Sequence, residues 1–187
     1  MSRGNVKGSV LASRLAYVRS ERGDGTLTLV LARLLPEDCA LLSGILLPFA
    51  WYPFETNARL DRAIADEFGI GNEIFLRLGA RSAEDNLTSA SQKQWIVDKN
   101  PQALIKQTST IYGVYYDTGR RDYERVGDAS AVLRTFDSLS FTSEDCLTVV
   151  GWYERAIQMC GGKNVRVEER FCRARGNPLC EYACSWE

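Results

Sequence analysis

The sequence contains no histidine among its 187 residues. Without an imidazole, the chain cannot activate a serine or cysteine nucleophile in the Ser-His or Cys-His manner, and it cannot form a histidine-containing zinc site. The same absence excludes a histidine-ligated haem. A metal site would have to consist of cysteine alone or of cysteine with carboxylate. Since no other catalytic constellation is present, we expect that the protein is not an enzyme.

Long apolar runs are also missing. The most apolar stretch, residues 39–54, is interrupted by Pro48 and Pro53, and nothing approaches the roughly 20 apolar residues that span a bilayer. The net charge of −1 gives no basic excess for nucleic acid or an anionic membrane. Arg14 and Arg19 break the apolar positions of the N-terminus, so no signal peptide is expected. We predict a cytoplasmic protein whose six cysteines are reduced thiols.

The composition, 45% hydrophobic and 25% charged, is typical of one globular domain, which we place over residues 1–187. Helical spacing dominates up to about residue 118. Leu11, Leu15 and Val18 predict a first helix that stops at Gly23, and a second helix is predicted over residues 27–35.

From about residue 119 the pattern changes to short strands. Strands are predicted at 123–126, 131–136, 165–168 and 180–186, with one helix between the two pairs that begins at Ser143. The order β-β-α-β-β predicts an α+β fold in which N-terminal helices pack on a four-stranded antiparallel sheet.

The last seventeen residues, FCRARGNPLCEYACSWE, contain three of the six cysteines. Burial favours a register in which Phe171 lies opposite Cys180, because one face of the hairpin is then apolar and only Glu169 interrupts it. In that register Cys180 and Cys184 are core thiols, and Cys172 lies at the turn on the other side.

A zinc site on Cys172, Cys180 and Cys184 is the alternative for the same hairpin. The gaps of seven and three residues differ from the close CxxC-type pairs of structural zinc sites. The spacing therefore favours a hairpin that closes the sheet over a metal site.

Two groups of aromatic residues are candidates for a ligand pocket. Trp51 and Tyr52 lie on an irregular loop with Phe49 and Phe54, where they form a pocket wall, a partner-binding patch or, as we favour, a buried anchor for the loop. Tyr112, Tyr115 and Tyr116, with Tyr123, line a cavity or form the edge of a helix, and the pattern fits both equally well.

Arginines cluster at two places, in the tail at Arg166, Arg170, Arg173 and Arg175 and before the first strand pair at Arg120 and Arg121. Guanidinium groups suit phosphate or carboxylate ligands. Because glutamates are interleaved with the tail group, a solvated and self-paired strand face is the favoured interpretation.

The stretch that ends in RFCRARGNPLCEYACSW resembles the C-terminal signature of the 4-vinyl reductase-like domain, in which a helix ends at glycine and a strand ends in Glu-x-x-Cys. The matching residues here are Gly162, Glu169 to Cys172, Gly176, Pro178, and Cys180 to Tyr182. The whole chain also resembles a myxobacterial paralogous family of unknown function, through Lys7 to Leu15, Trp51 to Glu55, and Cys172 to Glu181.

These resemblances imply a fold shared with TRAPP-core subunits and haem-NO-binding-like domains, with a pocket for an acyl chain or a haem between helices and sheet. Relatives with the tail cysteines have been proposed to bind zinc. This chain departs from the haem-binding pattern because it has no histidine.

We therefore predict a non-catalytic regulatory or sensory module that binds a small apolar or acyl ligand or a signalling protein. No cofactor is expected, and a zinc ion on the tail cysteines is the alternative. One alternative is a protein-interaction scaffold that forms a homodimer through its helical face. A third hypothesis is a cofactor-dependent, reductase-like enzyme, which fold-level analogy alone supports poorly.

Overall fold

The computed structural model describes residues 4–139 and 142–187. The helical part contains α1 (Gly8–Ala32), α2 (Pro36–Ser43), α3 (Phe54–Phe68), α4 (Glu73–Leu87), α5 (Pro101–Lys106) and α6 (Thr108–Tyr115). Two short strands, β1 (Asn5–Lys7) and β2 (Trp51–Pro53), pair antiparallel beside these helices. No helix in the described ranges is both long enough and apolar enough to cross a membrane.

The sheet-bearing part follows in the predicted order. It contains β3 (Arg120–Gly127), β4 (Ser130–Phe136), α7 (Ser143–Met159), β5 (Arg166–Phe171) and β6 (Leu179–Ser185). The four strands form one antiparallel sheet in the order β3-β4-β6-β5. The predicted α+β fold, with helices and a four-stranded antiparallel sheet, is confirmed.

The predicted end of the first helix and the predicted start of the last helix differ from the structure. Gly23 does not stop the first helix, because α1 continues to Ala32 around a single non-helical residue with φ 79° and ψ 175°. The last helix is capped by Thr142 rather than by Ser143, and the Thr142 backbone N–H donates to Asp145 Oδ2 at 3.0 Å. Thr142 and Asp145 thereby form a capping box.

Helices α4 and α7 cross with their backbones in contact. A Cβ atom on Gly79 would lie 2.0 Å from the Thr148 carbonyl oxygen, and one on Gly151 would lie 2.0 Å from the Leu76 carbonyl oxygen. Only glycine permits so close an approach. This crossing fixes α7 against the helical part while its other side covers the sheet.

The predicted register of the tail hairpin holds only as far as Glu169. Val167 lies opposite Cys184 and Glu169 opposite Tyr182, as expected, but a β-bulge then places Phe171 opposite Glu181. One extra residue reverses the direction of the side chains that follow it. Phe171 is therefore 47% exposed, and Cys172 is fully buried instead of lying on the outer side.

Candidate functional site

Three cysteines and one glutamate meet where α7 faces the tail hairpin, and we call them the cysteine cluster: Cys146, Glu169, Cys172 and Cys180. Cys146 lies in the first turn of α7, Glu169 and Cys172 flank the bulge of β5, and Cys180 is the second residue of β6. The Cys146 sulfur lies 3.6 Å from the sulfurs of both Cys172 and Cys180. The four ligand atoms all lie within 4.8 Å of one another.

The loop after the bulge orients the cysteine cluster with backbone and charged groups. The backbone N–H of Arg173 donates to the Cys180 sulfur at 3.3 Å. The Arg175 guanidinium binds Oε2 of Glu169, whose other oxygen, Oε1, is buried without a hydrogen-bond partner among the described residues. Gly176, with φ 87°, lets the loop fold back so that Asn177 donates to the Cys172 carbonyl oxygen. The free Oε1 therefore remains available for a metal ion.

The geometry of the cysteine cluster suits a tetrahedral metal ion. A zinc ion with bonds of about 2.3 Å to sulfur has sulfur–sulfur edges of about 3.8 Å, close to the observed 3.6 Å. The hydrogen bond to Cys180, together with burial, raises the pKa of the Cys146 thiol well above its ordinary value. Thiols must lose their protons to bind zinc, so metal binding here releases protons.

The sequence-predicted metal set overlaps only partly with the cysteine cluster. The structure brings Cys172 and Cys180 together but leaves Cys184 outside, opposite Val167 in the core of the sheet. Burial raises the pKa of Cys184 to about 12, as in a thiol that packs as a hydrophobe. Sequence reasoning missed Cys146 and Glu169. The signal for Glu169 was its position as the single charge on an otherwise apolar strand face.

Two small cavities lie between the helices and the sheet, each of about 40 Å³. We call the first the arginine cavity, since Arg14 and Arg121 line it together with Thr148, Trp152 and Tyr153. The second, which we call the carboxylate cavity, is lined by Asp61 and Asp145. The two cavities share part of their walls, including Tyr112, Tyr116 and Arg121.

The three predicted tyrosines of α6 and its end all lie at these cavities. Tyr112 and Tyr116 line both cavities with stacked rings whose centroids are 5.0 Å apart, and Tyr115 lines the arginine cavity. The Tyr112 hydroxyl donates to the Thr118 carbonyl oxygen at 2.8 Å, and the Tyr115 hydroxyl donates to Gln92. Burial raises the pKa of all three phenols, so they stay neutral at physiological pH.

Trp51 and Tyr52 do not line either cavity, whereas Phe54 of the same predicted group lines the carboxylate cavity, with its ring centroid 6.1 Å from that of Tyr116. Trp51 is 41% exposed and its ring carries the Lys7 ammonium group at 3.6 Å from the centroid. The Tyr52 hydroxyl accepts a hydrogen bond from the Leu47 backbone N–H at 3.0 Å. The structure therefore does not bring Trp51 and Tyr52 together with the tyrosines of α6.

Arg121 differs from the solvated arginine that the sequence favoured. It lies on β3 opposite Thr135, and it is only 6% exposed, whereas its neighbour Arg120 is exposed. The guanidinium carbon lies 4.8 Å from the ring centroid of Tyr112, 5.5 Å from that of Tyr153 and 5.7 Å from that of Tyr182. Strand alternation after residue 119 could have indicated which of the two arginines points inward.

Comparison with solved structures shows the fold. An H-NOX protein from S. oneidensis matches with a TM-score of 0.74 and 14% identity, over 97% of this chain and 99% of that one. An H-NOX protein from K. algicida matches with a TM-score of 0.72 and 12% identity, over 97% and 96% of the two chains. No protein-family model and no curated protein matches the sequence. The haem-NO-binding-like fold is thus confirmed, whereas kinship with the 4-vinyl reductase-like domain and the myxobacterial family stays a prediction.

The same comparison corrects the cofactor prediction, which expected no cofactor apart from zinc and excluded histidine-ligated haem. One matching structure, with a TM-score of 0.67 and 11% identity over 96% of this chain and 99% of that one, is described as modulating haem redox potential through porphyrin distortion. The exclusion was wrong because it rested on histidine alone. The fold is one that haem proteins use, and tyrosine and cysteine also ligate haem iron.

Proposed function

We propose that this chain is a non-catalytic sensory module, with a small-molecule site at the arginine cavity and a zinc ion in the cysteine cluster. The fold of haem-based H-NOX domains supports a ligand site between helices and sheet. The observation that carries the proposal is the pair of small cavities at that place, with apolar walls such as Val10, Ile111 and Trp152. The ligand we propose is small and has an apolar body.

The arginine cavity and the carboxylate cavity do not fit a haem. Each cavity measures about 40 Å³, far below the roughly 300 Å³ at which pockets begin to hold drug-sized ligands. The hydroxyls of Tyr112 and Tyr115 are already bound to protein acceptors. A ligand of a few non-hydrogen atoms is the size that the observed cavities accommodate.

Helix α7 connects the ligand site with the proposed metal site. Its residues Thr148, Trp152 and Tyr153 line the arginine cavity, and Cys146, half a turn before Thr148, belongs to the cysteine cluster. A zinc ion bound to Cys146, Cys172 and Cys180 would hold the start of α7 against the tail hairpin. A ligand that favours one position of α7 then shifts its population, which is how such a module would signal.

The test compares the native and denatured intact masses of the purified full-length chain. We expect a zinc-sized increment and a small organic increment that are both lost on denaturation. A haem-sized increment would overturn the proposed ligand size, and a protein that turned over a substrate unaided would overturn the non-catalytic role.

An exposed apolar loop favours a second function, a scaffold that forms a homodimer. Between α2 and β2, Ile45 is 90% exposed, Phe49 74% and Leu47 46%, and Trp51 at the start of β2 is 41% exposed. Exposed apolar patches of this kind mark interaction surfaces. We expect Phe49→Asp to shift the mass measured by light scattering from dimer to monomer. Val126→Asp, at another exposed apolar residue on β3, is the matched control, and a wild-type monomer at all concentrations would exclude this function.

A further inference from the structure

Arg121 is a buried cation without a counter-ion among the described residues. A guanidinium has five N–H donors and stays charged in proteins. Two of these donors are used, one from Nε to Thr135 Oγ1 at 2.8 Å and one from Nη1 to Tyr153 Oη at 3.3 Å. Its other contacts within the described ranges are the faces of three tyrosine rings. Neutral hydroxyls and rings compensate a desolvated charge only in part.

Arg14 shows what full compensation looks like in the same protein. It is 3% exposed, and it binds Asp61 through Nε at 3.0 Å and through Nη2 at 3.4 Å. Its Nη1 donates to the Leu78 carbonyl oxygen and to Ser82. Two equally buried arginines therefore line the arginine cavity, and only Arg14 has a carboxylate partner.

The charges on the cavity walls indicate on which side of Arg121 an anion fits. Both arginines line the arginine cavity, and no carboxylate does so among the described residues. The carboxylate cavity, by contrast, contains Asp61 and Asp145 in its wall. An anion in the arginine cavity meets attraction from Arg121 and the polar side chains of Ser82 and Asn86, whereas in the carboxylate cavity it meets like charge.

We propose that the ligand of this module is a small monocarboxylate, whose acid group binds the free N–H groups of Arg121 and whose apolar body packs against Val10, Ile111 and Trp152. This proposal rests on the proposed function, because it names the ligand class of the same site. A planar carboxylate matches the fork of a guanidinium. A volume of about 40 Å³ holds about three water-sized atoms, since one water needs roughly 10–15 Å³. The carboxylate group alone takes up most of this volume, so acetate is about the largest acid expected to bind without movement of α6 or α7, and a longer tail requires such movement.

The test uses the full-length, extensively dialysed chain and four acids, namely acetate, butanoate, hexanoate and benzoate, each compared with its neutral amide at constant ionic strength. Thermal unfolding and calorimetric titration measure binding. We expect at least one acid to raise the melting temperature while its amide does not. Arg121→Met should weaken binding of that acid at least tenfold, and Arg121→Lys should weaken it less.

The melting temperatures of the ligand-free variants test the role of Arg121 independently of binding. Removing an uncompensated buried charge in favour of an apolar side chain of similar length should leave the melting temperature of Arg121→Met equal to or above that of the wild type. Arg14→Met, the matched control, should melt several degrees lower because it leaves Asp61 buried and unpaired. A melting temperature of Arg121→Met that falls as far as that of Arg14→Met would show a structural cation and overturn the proposal.

Binding outcomes separate this proposal from the proposed function. If amides bind as well as acids, or if Arg121→Met keeps the affinity for acids, the site takes a neutral ligand, so the proposed function stands and the carboxylate class falls. If no acid and no amide binds, and the intact-mass experiment shows no small organic increment, both proposals fail.

Discussion

The cysteine cluster yields the sharpest prediction, because the structure and the sequence pattern differ in the cysteine that joins Cys172 and Cys180. It is Cys146 in the structure and Cys184 in the sequence-based prediction. The structure includes Cys146 and leaves out Cys184, although both are almost fully buried at 2% exposure. We therefore compare Cys146→Ala with Cys184→Ala. We expect one zinc per chain in the wild type and in Cys184→Ala, and less than a tenth of that in Cys146→Ala, as measured by elemental mass spectrometry.

The stability difference follows from the linkage between metal binding and folding. A ligand present at about 1,000 times its dissociation constant stabilises the folded state by about 4 kcal/mol. For a domain of 150–250 residues, 1 kcal/mol shifts the melting temperature by roughly 2–4 °C. Losing the metal should thus lower the melting temperature of Cys146→Ala by roughly 10 °C. Cys184→Ala removes one buried sulfur from the core, for which about 1 kcal/mol and a shift of roughly 3 °C are expected.

The chelator control distinguishes metal loss from a packing defect. Removing zinc from the wild type with a chelator should lower its melting temperature to nearly that of Cys146→Ala, and the same chelator should leave Cys146→Ala unchanged. Equal zinc content in wild type and Cys146→Ala, or equal zinc loss in both variants, would refute the assignment of the cysteine cluster.

Two further predictions test the surroundings of the site. Gly151→Ala should lower the unfolding free energy measured by chemical denaturation by more than about 3 kcal/mol, because its Cβ would lie 2.0 Å from the Leu76 carbonyl oxygen. Gly113→Ala is the control: it has open space on α6, so the variant should raise the unfolding free energy by about 0.5–1 kcal/mol. Stability should also fall as pH rises from about 9 to about 12, since burial raises the folded-state pKa of Cys184 from 9.0 to about 12 while the unfolded thiol ionises near 9. The stabilisation from the neutral thiol is therefore complete below pH 9 and is lost as pH approaches 12. Cys184→Ala should show a smaller loss of unfolding free energy across that range, and identical pH profiles would contradict the burial argument.

Sequence patterns predict more of the fold than of the candidate site. Hydrophobic periodicity identified the four strands and the helical character of the first 118 residues, and burial identified the register of β5 against β6 through Glu169. A bulge of one residue then changed which side chains face inward, and periodicity carries no signal for such an insertion. Cys172 entered the core for this reason alone. The cavity depended on packing between α6, α7 and β3, which pattern analysis does not reach.

Both parts of the proposed site contain a charged side chain on a largely buried strand face. Glu169 interrupts an apolar strand face, and it lies beside three thiols with one carboxylate oxygen unpartnered within the described ranges. Arg121 lies in a strand where one face is buried, and its guanidinium has no carboxylate partner there. A buried charge must be compensated. Glu169 already pairs with Arg175 through Oε2 and keeps only Oε1 for a further partner, whereas Arg121 has no carboxylate partner within the described ranges. Oε1 of Glu169 can accept a metal ion beside the three thiols, the guanidinium of Arg121 can accept an anion, and α7 touches both places. The two ligands would therefore act on the same helix. Zinc at the cysteine cluster would fix the start of α7, and the small ligand would shift α7 from that position.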